Sequence, residues 1–129
     1  MSAKLFANED TIDALIVQMS IQQKIGQLVQ TERMAVSAEE VAQYHIGSVL
    51  SGGGSWPGDN RVEDWVAMNE AYWQATMKPT AARVNIPIIY GVDAVHGHNN
   101  VQGATIFPHN IGLGAANDPD LMHRIAQAT

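Results

Sequence analysis

The run Ile86-Pro87-Ile88-Ile89-Tyr90-Gly91-Val92 constrains this chain more than any other segment. A continuous apolar, β-branched run of this length reads as a strand buried on both faces. Such strands belong to parallel sheets covered by helices. The run ends in Asp93-Ala94-Val95-His96-Gly97-His98-Asn99-Asn100. Ligands in α/β folds sit beyond the carboxyl ends of the strands. The pattern therefore puts a carboxylate, two imidazoles and two amides where a ligand belongs.

The rest of the chain alternates between helical and extended signals. Ile12, Leu15, Ile16 and Met19 recur at the spacing of one helix face. Ser20-Ile21-Gln22-Gln23 is a capping-box pattern that starts a second helix with Ile25, Leu28 and Val29 on one side. Ser37-Ala38-Glu39-Glu40 starts a third, through about Tyr44. Ile46 to Leu50 then reads as a short buried strand, ended by Ser51-Gly52-Gly53-Gly54-Ser55-Trp56-Pro57-Gly58.

Asp59 or Asn60 is expected to cap a long helix from about Arg61 to Lys78, with Val62, Trp65, Val66, Tyr72 and Trp73 apolar and Pro79 as the stop. Asn110 to Ala115 reads as a third strand, and Asp118-Pro119 as the start of a last helix. Strands alternating with helices imply right-handed crossovers and a parallel sheet. The expected fold is α/β, the opening part of a (β/α)8 barrel, a fold of about 250 residues. The chain of 129 residues is then incomplete. It divides into a helical lead-in over about 9–45 and the first β/α units over about 46–129.

Charge narrows the partners. Thirteen acidic residues against seven basic ones give a net charge of −6, and no two basic residues are adjacent. Nucleic acid and anionic membranes are poor partners for such a surface. Without cysteine there are no disulfides and no thiolate metal sites. No segment reaches the roughly 20 apolar residues of a membrane span. Residues 1–7 lack the apolar core and cleavage pattern of a signal peptide. That leaves a cytoplasmic protein, or a secreted or periplasmic one whose leader has been removed.

Asp93 is the foremost candidate. A carboxylate at a strand end can accept hydrogen bonds from two neighbouring hydroxyls, which is how a sugar diol is gripped. It can equally cap its own loop. His96 and His98 form an H-x-H triplet, which in a metal-dependent hydrolase would supply two ligands. No further ligands occur at a matching spacing, and histidines in such loops commonly brace them. Gly52 to Gly54 let backbone approach a ligand, but the P-loop ending is absent. Gly112-Leu113-Gly114 is an incomplete dinucleotide fingerprint, with Asn117 at its third glycine. Trp56 can stack on a pyranose or pack beneath its own loop.

At these residues the chain resembles glycoside hydrolase family 3, in particular its β-glucosidases and exo-acting β-glucanases. The resemblance begins at Ser20-Ile21-Gln22-Gln23-Lys24-Ile25-Gly26-Gln27-Leu28 and includes Gly47 to Gly54. It is strongest in Tyr90-Gly91-Val92-Asp93-Ala94-Val95-His96-Gly97 and Ala104-Thr105-Ile106-Phe107-Pro108-His109-Asn110-Ile111-Gly112-Leu113-Gly114.

The resemblance implies the first part of a barrel that hydrolyses terminal β-D-glucosidic bonds with retention, without metal or organic cofactor. It implies that Asp93 holds hydroxyls of the terminal glucosyl unit. It also implies that Gly53, Gly54, His98 and Asn99 help shape that pocket; Trp56 lies in a more variable stretch. Retaining hydrolysis needs two carboxyl groups about 5–5.5 Å apart. In the family both lie beyond the stretch matched here, so no catalytic residue is expected in this chain. The expected partners are a β-glucoside or β-glucan and the remainder of the parent polypeptide. A non-catalytic sugar-binding or assembly module is the alternative.

Overall fold

The structure is a computed structural model that describes residues 9–80 and 83–129. Residues 1–7, where the leader pattern was sought, lie outside the described residues. Helices and one small parallel sheet make an α/β fold. Helices α1 (Glu9–Gln18) and α2 (Ile21–Gln27) lead into strand β1 (Gln30–Glu32) and a 3-10 turn (Arg33–Ala35). Helix α3 (Ala38–Tyr44), strand β2 (Ser48–Ser51), helix α4 (Val62–Met77) and strand β3 (Ile89–Val92) follow. Helices α5 (Asn110–Ala115) and α6 (Pro119–Ala128) end the chain.

The sheet order is β1-β2-β3, parallel throughout, with Gln30 beside Ser48, Ser48 beside Ile89 and Ser51 beside Val92. The central strand carries the core. Val49 is fully buried with Val41 of α3, and Ile46 and Tyr72 complete the cluster. Met68, Ile88 and Tyr90 pack at its margin. Tyr72 is anchored as well as buried: its hydroxyl donates to the Val36 carbonyl at 3.2 Å.

Both serine capping boxes form. Ser20 Oγ accepts from the Gln23 N–H at 3.1 Å and Ser37 Oγ from the Glu40 N–H at 3.2 Å. Each satisfies a helix-end donor that would otherwise lack a partner. Asp118 likewise caps α6, accepting from the Leu121 N–H at 2.9 Å with Pro119 in the first turn.

Four expectations are corrected. The stretch read as a helical lead-in over about 9–45 contains β1, a three-residue strand of polar residues with no apolar signal. Asn110 to Ala115 is helical, because the N–H groups of Leu113 and Ala116 bond the His109 and Gly112 carbonyls four residues back. Helix α4 is capped by neither Asp59 nor Asn60. The Asp64 carboxylate reaches back to the N–H groups of Asp59 and Arg61, each at 3.0 Å. Finally, Ile25, Leu28 and Val29 are exposed, and Gln23 and Gly26 are the buried residues of α2. Gln23 is buried because its amide serves the Val84 carbonyl, at 3.1 Å.

Helix α2 meets the turn before β2 at backbone distance. The Gly47 N–H donates to the Gly26 carbonyl at 2.9 Å, and Gln27 Nε2 to the His45 carbonyl at 2.9 Å. His45 ends α3 in the left-handed conformation, at φ 57°. Arg83 closes the far side. Its guanidinium donates to the Ala42 carbonyl at 3.2 Å and to the last carbonyls of α4, including Thr76 at 2.9 Å. A cation there also complements the negative helix end.

A methyl group at Gly26 would lie 2.3 Å from the Tyr44 carbonyl oxygen and 2.5 Å from that of His45. Both are backbone atoms that cannot rotate away. Gly26→Ala is therefore expected to cost about 3 kcal/mol or more, read as a lower thermal midpoint or loss of soluble intact protein. Burial, and then the Arg83 charge, lower the His45 pKa from its ordinary 6.5. The stabilisation from neutral His45 is complete above that value and erodes as pH falls from it toward the lower folded value. His45→Asn keeps a residue suited to positive φ but cannot titrate. Its thermal midpoint should fall less than the parent's on acidification through that window.

Candidate functional site

Because the three strands are parallel, their carboxyl ends at Glu32, Ser51 and Val92 share one edge of the sheet. The loops leaving that edge carry the candidate residues. Asp93 follows β3 directly, and its N–H donates to the Ser51 carbonyl at 3.0 Å, continuing the ladder by one bond. The backbone is thus fixed, while the carboxylate is exposed and makes no hydrogen bond to the described residues. Its oxygens are free for a ligand.

Beside Asp93 the end of β2 is held from both sides. The Tyr90 hydroxyl donates to Ser51 Oγ at 2.6 Å, and Asn100 Nδ2 donates to the Gly52 carbonyl at 3.2 Å. Ser51 and Asn100 are both buried. The Ser55 N–H then returns to the Gly52 carbonyl at 3.0 Å, closing the glycine turn. A Cβ added at Gly53 or Gly54 would meet no atom within 4 Å. These glycines border open space above the sheet edge.

Two residues at the end of β1 join this loop, and sequence reasoning missed both. Arg33 Nε donates to Ser55 Oγ at 2.9 Å and its terminal nitrogen to the Trp56 carbonyl at 3.0 Å. The Ser55 hydroxyl, foremost, with the Met34 N–H and the Arg33 charge, holds the Glu32 carboxyl below its ordinary range against the opposing effect of burial. The only signal was the β-branched Thr31 between Gln30 and Glu32.

The two histidines take separate structural contacts. His96 Nδ1 lies 2.8 Å from the Phe107 carbonyl, so it carries the proton and donates. The Phe107 N–H returns to the His96 carbonyl at 2.9 Å, and the His109 ring stands edge-on at 4.4 Å. His98 is instead edge-on to Trp65, at 5.1 Å. The Trp65 Nε1–H is in turn held by Asn60 Oδ1 at 2.9 Å. His98 Nδ1 is buried with no partner among the described residues. The same residues contain no group of three His, Asp or Glu that could hold a metal ion.

Trp56 and Asn99 do come together. They line a cleft of about 460 Å³ with Asn60, Asn100, Gln102 and Ile106. Trp56 is 49% exposed, and four amide residues and Asp59 line the same cleft. An aromatic face flanked by amides is suited to a ligand with apolar C–H faces and many hydroxyls. Asp93 is not among the residues lining this cleft.

Residues 20–129 match the model of the glycosyl hydrolase family 3 N terminal domain. The chain belongs to that family. A lysosomal beta glucosidase of Dictyostelium discoideum is 32% identical over 95% of the chain, which spans 17% of that protein. Two crystal structures of an exo-1,3/1,4-beta-glucanase from a Pseudoalteromonas species, one of them a glutamine-to-alanine mutant, are also similar. The mutant is 44% identical with a TM-score of 0.84, covering 93% of this chain and 20% of its own. The other is 43% identical with a TM-score of 0.83, covering 92% and 15%. The chain therefore spans a fifth or less of the length of these relatives.

In this family 3 domain the loop after β3 turns at Gly97, where φ is 73° and a Cβ would sit 2.6 Å from the Phe107 ring. Gly97→Ala should cost about 1–2 kcal/mol for the left-handed backbone alone. Hydrogen exchange at the Phe107 amide, bonded to His96, should accelerate while the strand amides stay protected.

Proposed function

We propose that this chain supplies the floor of the glucose pocket in a β-glucosidase or exo-β-glucanase of family 3. One observation carries the reading: Asp93 has a fixed backbone and free carboxylate oxygens at the carboxyl end of a parallel strand. There it accepts hydrogen bonds from two hydroxyls of the terminal β-glucosyl unit. In this proposal Gly53 and Gly54 leave room for the sugar, His98 braces the loop against Trp65, and Asn99 and Trp56 line a cleft that meets the rest of the ligand. The reaction is a retaining double displacement that needs no metal or organic cofactor.

In this reading the nucleophile and the acid/base lie in the remainder of the parent polypeptide. Asp93 is a binding carboxylate and does not attack the sugar. The 129 residues form the first β/α units of a (β/α)8 barrel whose later units complete the sheet. The distribution of apolar surface supports this. Ile12, Ile16, Leu28 and Ile86 line an open groove of about 420 Å³. Val62, Val66 and Trp73 line another, of about 500 Å³, beside β3. Surfaces of this kind mark contacts with further protein.

The test pairs the full-length enzyme with the chain alone. Hydrogen bonds to a charged group contribute about 1.5–3 kcal/mol. Asp93→Asn in the full-length enzyme should therefore lower kcat/KM on aryl β-glucosides about ten- to a hundredfold, with thermal stability unchanged. The chain alone should release no glucose. Parental kinetics in the variant would remove Asp93 from the site, and activity in the isolated chain would refute the division of labour.

A further inference from the structure

We infer that Arg33 is a positioning residue for the sugar site, holding the Trp56 indole at the cleft rim through Ser55 and the Trp56 carbonyl. The inference rests on the glucosidase reading above and adds a residue to it.

The loop between Ser51 and Trp56 has little to fix it from within. Gly53 and Gly54 touch nothing a side chain would meet, and glycine carries the largest backbone entropy of any residue. Two tethers limit that freedom. Asn100 holds the near end at the Gly52 carbonyl, 3.2 Å away. Arg33 holds the far end, its guanidinium forking onto consecutive residues at 2.9 and 3.0 Å. A planar fork suits two fixed acceptors where a flexible ammonium does not.

The far tether is reinforced on both sides. Ser55 is 4% exposed and its hydroxyl accepts from Arg33 Nε, so the contact is shielded from water. A hydrogen bond from a charged donor is stronger than a neutral one. On the other side, buried Pro57 restricts the Trp56 backbone to extended conformations. The Trp56 carbonyl is thus fixed by Arg33 and its ψ by Pro57. What remains free is the indole, which stands half-exposed in a cleft with Asn99 and Gln102. A charged tether ending on an exposed residue contributes little to the core. Its benefit falls on whatever meets the indole.

The experiment is a double-mutant cycle in the full-length enzyme on a β-linked glucose disaccharide, with Arg33→Gln, Trp56→Ala and the two combined. Trp56→Ala should raise KM roughly three- to tenfold, the range of one aromatic contact, and leave kcat within about twofold. Arg33→Gln should raise KM in the same direction with kcat equally unaffected. The combined variant should be no worse than Trp56→Ala. An Arg33→Gln effect that persists undiminished without the indole, or that falls on kcat alone, overturns the inference.

If Arg33→Gln does not fold, Ser55→Ala removes the shared hydroxyl and is read the same way, with parental KM as the refuting result. A parental KM for Trp56→Ala also overturns the inference. It leaves the glucosidase reading intact provided Asp93→Asn is impaired. If neither variant is impaired, that reading itself fails.

Discussion

A chain enters the middle of this sheet only because Gly26 and Gly47 have no side chains. A Cβ at Gly47 would lie 2.4 Å from the Gln27 carbonyl oxygen, and one at Gly26 would be as badly placed against α3. With both absent, the Gly47 N–H bonds the Gly26 carbonyl, and Ser48 follows with its own bond to the Val29 carbonyl. The Gly47 carbonyl then accepts from Ile89, so β1, β2 and β3 are all registered from this contact. The alignment of Glu32, Ser51 and Val92 at the far edge is its consequence. A site assembled from three strand ends depends on a backbone contact at the other end of those strands.

The features legible in sequence were those whose energetics are local. Ser20 and Ser37 cap helices because a hydroxyl and an amide or carboxylate three residues on satisfy each other's backbone donors. Asp118-Pro119 works in the same way. Asp93 was legible because an apolar run ending in a carboxylate fixes both the strand and the position just past it. Strand β1 was not, since Gln30-Thr31-Glu32 buries almost nothing and exists through its bonds to β2. With β1 unread, its end was unread too, and so Glu32 and Arg33 were absent from the expected site. Ile111-Gly112-Leu113-Gly114 alternates like a strand. Among the described residues no strand pairs with it, and the i to i−4 bonds close instead.

The histidine triplet shows how spacing and geometry part company. Two imidazoles one residue apart suggest convergence. Gly97 lies between them at positive φ, and the chain turns there. The rings leave in different directions, His96 to the Phe107 carbonyl and His98 to Trp65. His96 ties the long loop after β3 to its own later part, and His98 joins that loop to α4. The pair braces the loop that carries Asn99 and Asn100, and it touches the proposed sugar site through those amides.

The proposed roles of Asp93 and the cleft separate grip from chemistry. Interactions made equally with substrate and transition state lower KM without raising kcat. A stacked indole at a rim is of that kind, since it contacts a part of the sugar chain that does not change as the bond breaks. Asp93 differs. Hydroxyls of the reacting glucosyl unit become more acidic as positive charge develops at the anomeric centre, so their bonds to a carboxylate strengthen in the transition state. That gain requires oxygens that need not move to meet the sugar. The backbone bond from Asp93 to Ser51 limits such movement, and Tyr90 and Asn100 hold the end of β2 in turn. On that proposal, the rigidity of the strand ends lets a carboxylate that does not itself attack the sugar contribute to the rate.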